Sequence, residues 1–300
     1  MRIKIDAFNY DIERALDWIG SQIGNPLQKR VKGFQQEQRR NPLLEDYYRR
    51  TFSLELASAE AWRTYQRSKT FPTGDEYTIA YGFAVTAHRV NEALSPRGRN
   101  RLSGSLRDGA RGQYGLRPLA YELNIAAHLS WKGYDVECVD LEGKGRFEFL
   151  ASKNGAEFEI ECKTTSPDKG RKIHRKDFNN LTYDLLPVTK DLVEAGGCHA
   201  IRLIIPDRLQ SNKQQIGALK GVVSLSVANG SAITPAGRSE YKLVSIDRWP
   251  EPDQLERVGR ELLDVFFGAG NRHVVWHYRP NHGFVVIGAE SEKPTAYRSR

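Results

Sequence analysis

The stretch Glu157-Phe-Glu-Ile-Glu-Cys-Lys163 alternates without a break. Phe158, Ile160 and Cys162 fall on one face, and Glu157, Glu159, Glu161 and Lys163 on the other. Period-two alternation is the signature of a half-buried strand, and side chains two residues apart on such a strand stand about 7 Å apart on the same face. The strand therefore ends with a carboxylate and an ammonium side by side, a pair that can flank a divalent cation. Acid-x-lysine is a common triplet, and it recurs at Glu142 to Lys144 and Glu240 to Lys242. Only the Glu161 triplet ends an alternating strand that follows both an acid-bearing strand and a helix with an inward glutamate.

Upstream, the periodicity predicts a helix over Pro118 to Lys132, closed by Gly133, then strands over Asp135 to Val139 and Arg146 to Leu150 before the Ala156 to Lys163 strand. On the helix, Leu119, Leu123, Ile125, Ala126 and Leu129 share one broad face, and Glu122 falls inside that arc. An ionised carboxylate left unpaired in an apolar setting costs several kcal/mol or more, so Glu122 either meets a cation, lines a polar cleft or reaches solvent from the edge of the stripe. Strand Arg146 to Leu150 sets Phe147 and Phe149 toward the core and Glu148 on the opposite face. Downstream, helices are expected across Lys176 to Ala195, followed by a buried strand over His199 to Ile205. A helix within Leu209 to Val227, a strand over Lys242 to Ile246, a helix over Pro252 to Phe267 and a hairpin of His273 to Tyr278 with Gly283 to Gly288 complete the chain.

The stretch from Pro118 to Ile205, with its helix glutamate, its second-strand acid and its third-strand Glu-Cys-Lys, resembles the PD-(D/E)xK nuclease superfamily. The resemblance covers about 90 residues. It implies an α/β fold with a restriction-endonuclease-like core in the order helix, three-strand meander, helix, strand, preceded by a mostly α-helical N-terminal domain. It implies an active site of Glu122, Glu148, Glu161 and Lys163. The chain departs from the family pattern in two places: no Pro-Asp precedes the third strand, and the second-strand acid is a glutamate where aspartate is usual. The implied activity is metal-dependent hydrolysis of phosphodiester bonds, with DNA expected ahead of RNA. Magnesium or manganese would be held by Glu148, Glu161 and the Cys162 carbonyl, since such hard cations take oxygen ligands. Lys163 would orient the nucleophile or stabilise charge on the phosphate.

Directly after this strand, six of the eight residues of Lys169-Gly-Arg-Lys-Ile-His-Arg-Lys176 are Lys, Arg or His. Lys169, Arg171, Lys172, His174, Arg175 and Lys176 form a candidate phosphate-binding track beside the metal, or else a solvated loop. The 300-residue chain carries a formal charge of +8, which favours a polyanionic partner. Residues 95 to 117 are rich in glycine and contain six arginines against one aspartate, which reads as a basic arm or linker. The expected division is a helical domain over residues 1 to 115 and a nuclease domain with an α/β extension over residues 116 to 300. The first domain is predicted to be helical near 9 to 23, 43 to 67 and 76 to 94, with breaks at Asn25-Pro26, Asn41-Pro42 and Pro72-Thr73-Gly74. Its amphipathic helices suit a protein partner or a homo-oligomer.

No apolar run approaches the roughly 20 residues of a spanning helix, so no membrane partner is expected. The N-terminus lacks a secretory pattern, which predicts a cytoplasmic protein. Cys138, Cys162 and Cys198 lack metal-ligand spacing and read as reduced and mostly buried. His273 and His277 lie about 13 Å apart on a strand and cannot readily share an ion. Glycine-rich phosphate loops, serine nucleophile elbows and dinucleotide fingerprints are missing, which disfavours ATPases, serine hydrolases and Rossmann dehydrogenases. Two further readings stay open: a catalytically silent nucleic-acid-binding subunit, and a scaffold acting through the helical domain.

Overall fold

The computed structural model describes residues 12–164, 171–210, 212–246 and 248–292. The chain divides into two compact units, one of residues 1–40 and 48–166, the other of residues 41–47 and 167–300. The fold is mixed α/β. No helix among the described residues is long and apolar enough to cross a membrane.

The first unit begins with α1 (Ile12–Arg40), which runs straight through Pro26. A break at this proline is the local expectation, because its ring removes a hydrogen bond and crowds the preceding turn. Tertiary packing overrides it. Leu16, Ile19, Ile23, Leu27 and Val31 form a single buried stripe on both sides of Pro26. The Trp62 ring lies so close over Gly20 and Gly24 that a Cβ at either would clash. Next come α2 (Leu44–Thr51), which straddles the division between units, then α3 (Ser53–Ser68) and α4 (Asp75–Ala93).

The arginine-rich stretch is a packed helix, α5 (Pro96–Arg111), and not an arm or linker. Ser95 caps it by accepting from the Gly98 N–H, Pro96 occupies its first position, and Leu102, Leu106 and Ala110 are buried. Two of its arginines serve the fold: Arg99 donates to the Asn91 and Leu94 carbonyls at the end of α4, and Arg101 to the Asp140 carbonyl. The expected boundary at residues 115/116 thus falls inside the first unit.

Helix α6 (Arg117–Trp131) follows, with Leu119, Ala120, Leu123 and Ala126 buried. It leads into β1 (Asp135–Cys138), the short α7 (Val139–Glu142), β2 (Phe149–Lys153) and β3 (Ala156–Ile160). The three strands form an antiparallel meander in the order β1-β2-β3. Val136, Cys138 and Phe149 on its inner face join the same core as α1 and α3 to α6, which explains why the meander belongs with the N-terminal helices. As an edge strand, β3 is poorly covered, and Phe158, on the apolar face of the alternation, is 52% exposed.

The second unit contains α8 (Arg175–Asp184), α9 (Leu186–Ala195), β4 (Gly197–Ile205), α10 (Lys213–Asn229), β5 (Ser231–Thr234), β6 (Gly237–Val244), a 3-10 turn at Pro252–Gln254, α11 (Leu255–Phe267), β7 (His273–Arg279) and β8 (Gly283–Ser291). The expected order of helix, meander, helix and strand is present along the chain. However, β4 pairs in a separate five-stranded sheet, ordered β5-β6-β4-β8-β7, parallel to β8 and antiparallel to β6. Its nearly continuous apolar run suits a central strand covered on both faces. Strand β5 has no counterpart in the sequence expectations.

The start of α6 depends on Gly115 and Glu55. Gly115 adopts φ +71°, and a Cβ there would lie 2.1 Å from Glu55 Oε1. Glu55 is 1% exposed and accepts a hydrogen bond from the Leu116 N–H. Gly115→Ala is expected to destabilise the protein by about 1–3 kcal/mol, combining backbone strain with displacement of a buried carboxylate. Denaturant unfolding followed by circular dichroism measures it.

Candidate active site

The acids of the first unit converge where β2 begins and β3 ends. The strand bounds differ from expectation. Strand β2 opens at Phe149, so Glu148 precedes it, and β3 closes at Ile160, so Glu161, Cys162 and Lys163 lie just beyond it. Val139, expected to end β1, opens α7, and Arg146 to Glu148, expected to open β2, form a bend before it.

Glu148 occupies an irregular backbone position. Its carbonyl accepts from the Val139 N–H on the β1 side, whereas its own N–H donates to the Ile160 carbonyl on the β3 side. In a regular antiparallel strand a residue turns both groups the same way, so the ladder is broken here as at a bulge, a distortion that re-aims the side chain. The Glu148 carboxylate accepts a hydrogen bond of 2.9 Å from the Cys162 N–H through Oε2. The second-strand acid is thereby tied to the residue between Glu161 and Lys163.

Glu161 and Lys163 are ion-paired to each other on an exposed surface. This pair holds the Lys163 ammonium above its ordinary range, chiefly through the hydrogen bond to Glu161, with Glu148 adding to the field. Glu122, half-buried on α6, is pushed up to about 7 by burial first, then by the negative charges of Glu148 and Asp140. The Cys162 thiol is likewise raised to about 11 by burial and by Glu148 and Glu122. The four residues named from the sequence thus share one electrostatic neighbourhood. Asp140 is a further acid in it that sequence reasoning missed, because α7 was not anticipated.

Among the described residues, no group of three or more His, Cys, Asp and Glu side chains is arranged to hold a metal ion. The donor chemistry fits a hard cation all the same: Glu148 and Asp140 add like charge to the burial that lifts Glu122 to about 7, and carboxylate oxygens are the ligands such a cation takes.

The basic cluster belongs to the second unit. Lys169 lies outside the described residues. Lys172 is ion-paired with Asp207 at 3.3 Å, and His174 Nε2 lies 3.4 Å from Arg208 Nη2. His174 precedes α8, and Arg175 and Lys176 form its first turn. The terminal histidines do not converge. His273 is buried against the Ile173 carbonyl, His277 contacts Thr189 and His282 bonds the Glu194 carbonyl. Cys138 and Cys198 are buried free thiols, and Cys162 is half-buried.

Comparison with protein families, characterised proteins and solved structures finds no match to this chain.

The Glu122 carboxyl is expected to titrate near pH 7, and Glu148→Gln to move its midpoint down, as read by carboxyl-resolved NMR. Because the folded state holds this proton above the ordinary value of 4.5, its stabilising effect is full below pH 4.5 and is lost as pH rises through 7. Glu122→Gln should remove that slope, worth about 1 kcal/mol once solvent screening at a half-exposed site is allowed for.

Proposed function

We propose that the protein is a metal-dependent nuclease acting on phosphodiester bonds, DNA ahead of RNA, with Glu122, Glu148, Glu161 and Lys163 as its catalytic residues. The observation that carries this reading is the hydrogen bond from the Cys162 N–H to the Glu148 carboxylate, which brings the second-strand acid to the Glu-Cys-Lys step. The resemblance of Pro118 to Ile205 to the PD-(D/E)xK superfamily rests on the same residues.

In this reading Glu148, Glu161 and the Cys162 carbonyl hold magnesium or manganese. Such an ion, when bound, acidifies a water and offsets charge on the phosphate oxygens. Glu161 would be a ligand of the ion, and Lys163 would then stabilise charge on the scissile phosphate. Glu122, whose carboxyl is raised to about 7, would orient a water of the ion from the helix side. Arg171, Lys172 and Lys176 bind phosphates, which adds affinity without sequence preference.

A second reading, a catalytically silent nucleic-acid-binding subunit, is favoured by one observation: no three-ligand metal cluster is preformed among the described residues. Cleavage decides between the two. Supercoiled plasmid and labelled RNA are incubated with magnesium, manganese or chelator, using the wild type, Lys163→Ala and Glu161→Ala. The nuclease reading expects metal-dependent cutting that falls about a hundredfold or more in both variants. Wild-type inactivity on both substrates, or equal cutting by the variants, overturns it.

Replacing both Arg171 and Lys176 with alanine is expected to flatten the dependence of log K on log salt by about 0.9 for each duplex phosphate that is no longer neutralised, as followed by fluorescence anisotropy.

A further inference from the structure

The first unit carries an exposed aromatic and basic surface at the far end of the meander from the acids. Helix α6 stops at Trp131, and the chain turns at Gly133, φ +82°, before entering β1. The rings left at this rim are not scattered. The Lys132 ammonium lies 4.6 Å from the centre of the Trp131 ring, which is 71% exposed. Lys153 donates to the Lys132 carbonyl at 2.7 Å, and its ammonium lies 5.0 Å from the centre of the Tyr134 ring. Tyr134 in turn meets Phe158 edge to face, with centroids 6.5 Å apart and planes at 71°.

Two lysines and three rings therefore form one linked surface. Glu157 and Glu159 do not intrude on it. They pair across from Ser152 and Leu150, whereas Phe158 pairs across from Ala151 on the inner face. An apolar rim awaiting a protein partner would not need an ammonium held over each of two rings. That combination offers π-faces to flat groups and positive charge to a chain of phosphates, as single-strand-binding platforms do.

We infer that Trp131, Tyr134 and Phe158, with Lys132 and Lys153, bind single-stranded nucleic acid by stacking unpaired bases. The inference deepens the nuclease reading and rests on it for its biological sense, while the binding itself is measured separately. Phe158 lies on β3, the strand that leads toward Glu161. Duplex, whose bases are already stacked, gains nothing from the rings. The substrate class that follows is single strands, or duplex ends that fray.

The test uses the full chain in chelator, where cleavage cannot contribute. Anisotropy is recorded for a labelled oligothymidylate of about 12 nucleotides, a length such platforms can span, and for a blunt duplex of equal length. Trp131→Ala with Phe158→Ala is expected to weaken oligothymidylate binding about tenfold or more and to change duplex binding less than about twofold. Lys132→Ala is expected to reduce the single-strand salt slope by about 0.7. Both replaced rings are exposed, so thermal unfolding should hold. If it does not, the Leu pair at the same positions keeps the apolar area and removes the π-faces, with the same loss expected. Wild-type failure to bind the oligothymidylate, unchanged binding by the ring variants, or equal loss for duplex overturns the inference. So does self-association of the wild type that the ring variants abolish, which would assign the surface to a second copy. Plasmid cutting in magnesium is scored apart, so an intact platform on an inactive protein and an active site without a platform give different results.

Discussion

A buried carboxylate fixes where the acid-bearing helix begins. Glu55, on α3, is almost fully excluded from solvent and accepts the Leu116 N–H, one of the donors that the first turn of α6 leaves without an intrahelical partner. Its second oxygen has no hydrogen-bond partner among the described residues, and burial raises its pKa. Such a group is costly to bury, and removing it would strand a backbone N–H instead. The arrangement therefore works in one register only: Gly115 must be glycine to pass the carboxylate, Leu116 must present its N–H, and Glu122 then falls about one and a half turns along the helix. The position of Glu122 in the acid cluster depends on that register.

The cluster itself is under electrostatic load. Helix α6 places Glu122, the irregular entry to β2 places Glu148, and α7 places Asp140, three acids from three separate elements. Burial first, and then the like charge of Glu148 and Asp140, resist ionisation of Glu122. In the proposed nuclease, a bound cation would relieve this load. The Cys162 N–H already supplies part of that positive field, and Lys163 supplies more through its partner Glu161.

Alternation at Glu157 to Lys163 and the apolar face of α6 were enough to read the meander and its preceding helix from sequence. The end of each strand was not readable in this way, since alternation continues past Ile160 and begins before Phe149 while pairing does not. The glycines at 143 and 145 were the available signal that residues before β2 turn instead of extending. For α5 the signal was also present: Ser95-Pro96 is a helix start, and Leu102, Leu106 and Ala110 recur at helical spacing. Arginine and glycine content concealed it. Pro26 is the opposite case, where a sound local rule gives way to a buried stripe that only the packed helices reveal. Glu55 carried no sequence signal at all, because its partner lies 61 residues away.

The partition of the chain changes what the resemblance can mean. In sequence order the helix, meander, helix and strand follow one another, yet the meander shares its core with α1 and α3 to α6, while β4 is the centre of a different sheet. Strand order along a chain is local information, but the choice of sheet is made by partners far away in sequence, here β6 and β8. The acid site needs only what the first unit contains: α6, the irregular turn into β2 and the end of β3. Its chemistry is thus independent of which sheet receives β4, and the residues that would carry it are held by elements whose cores close among themselves.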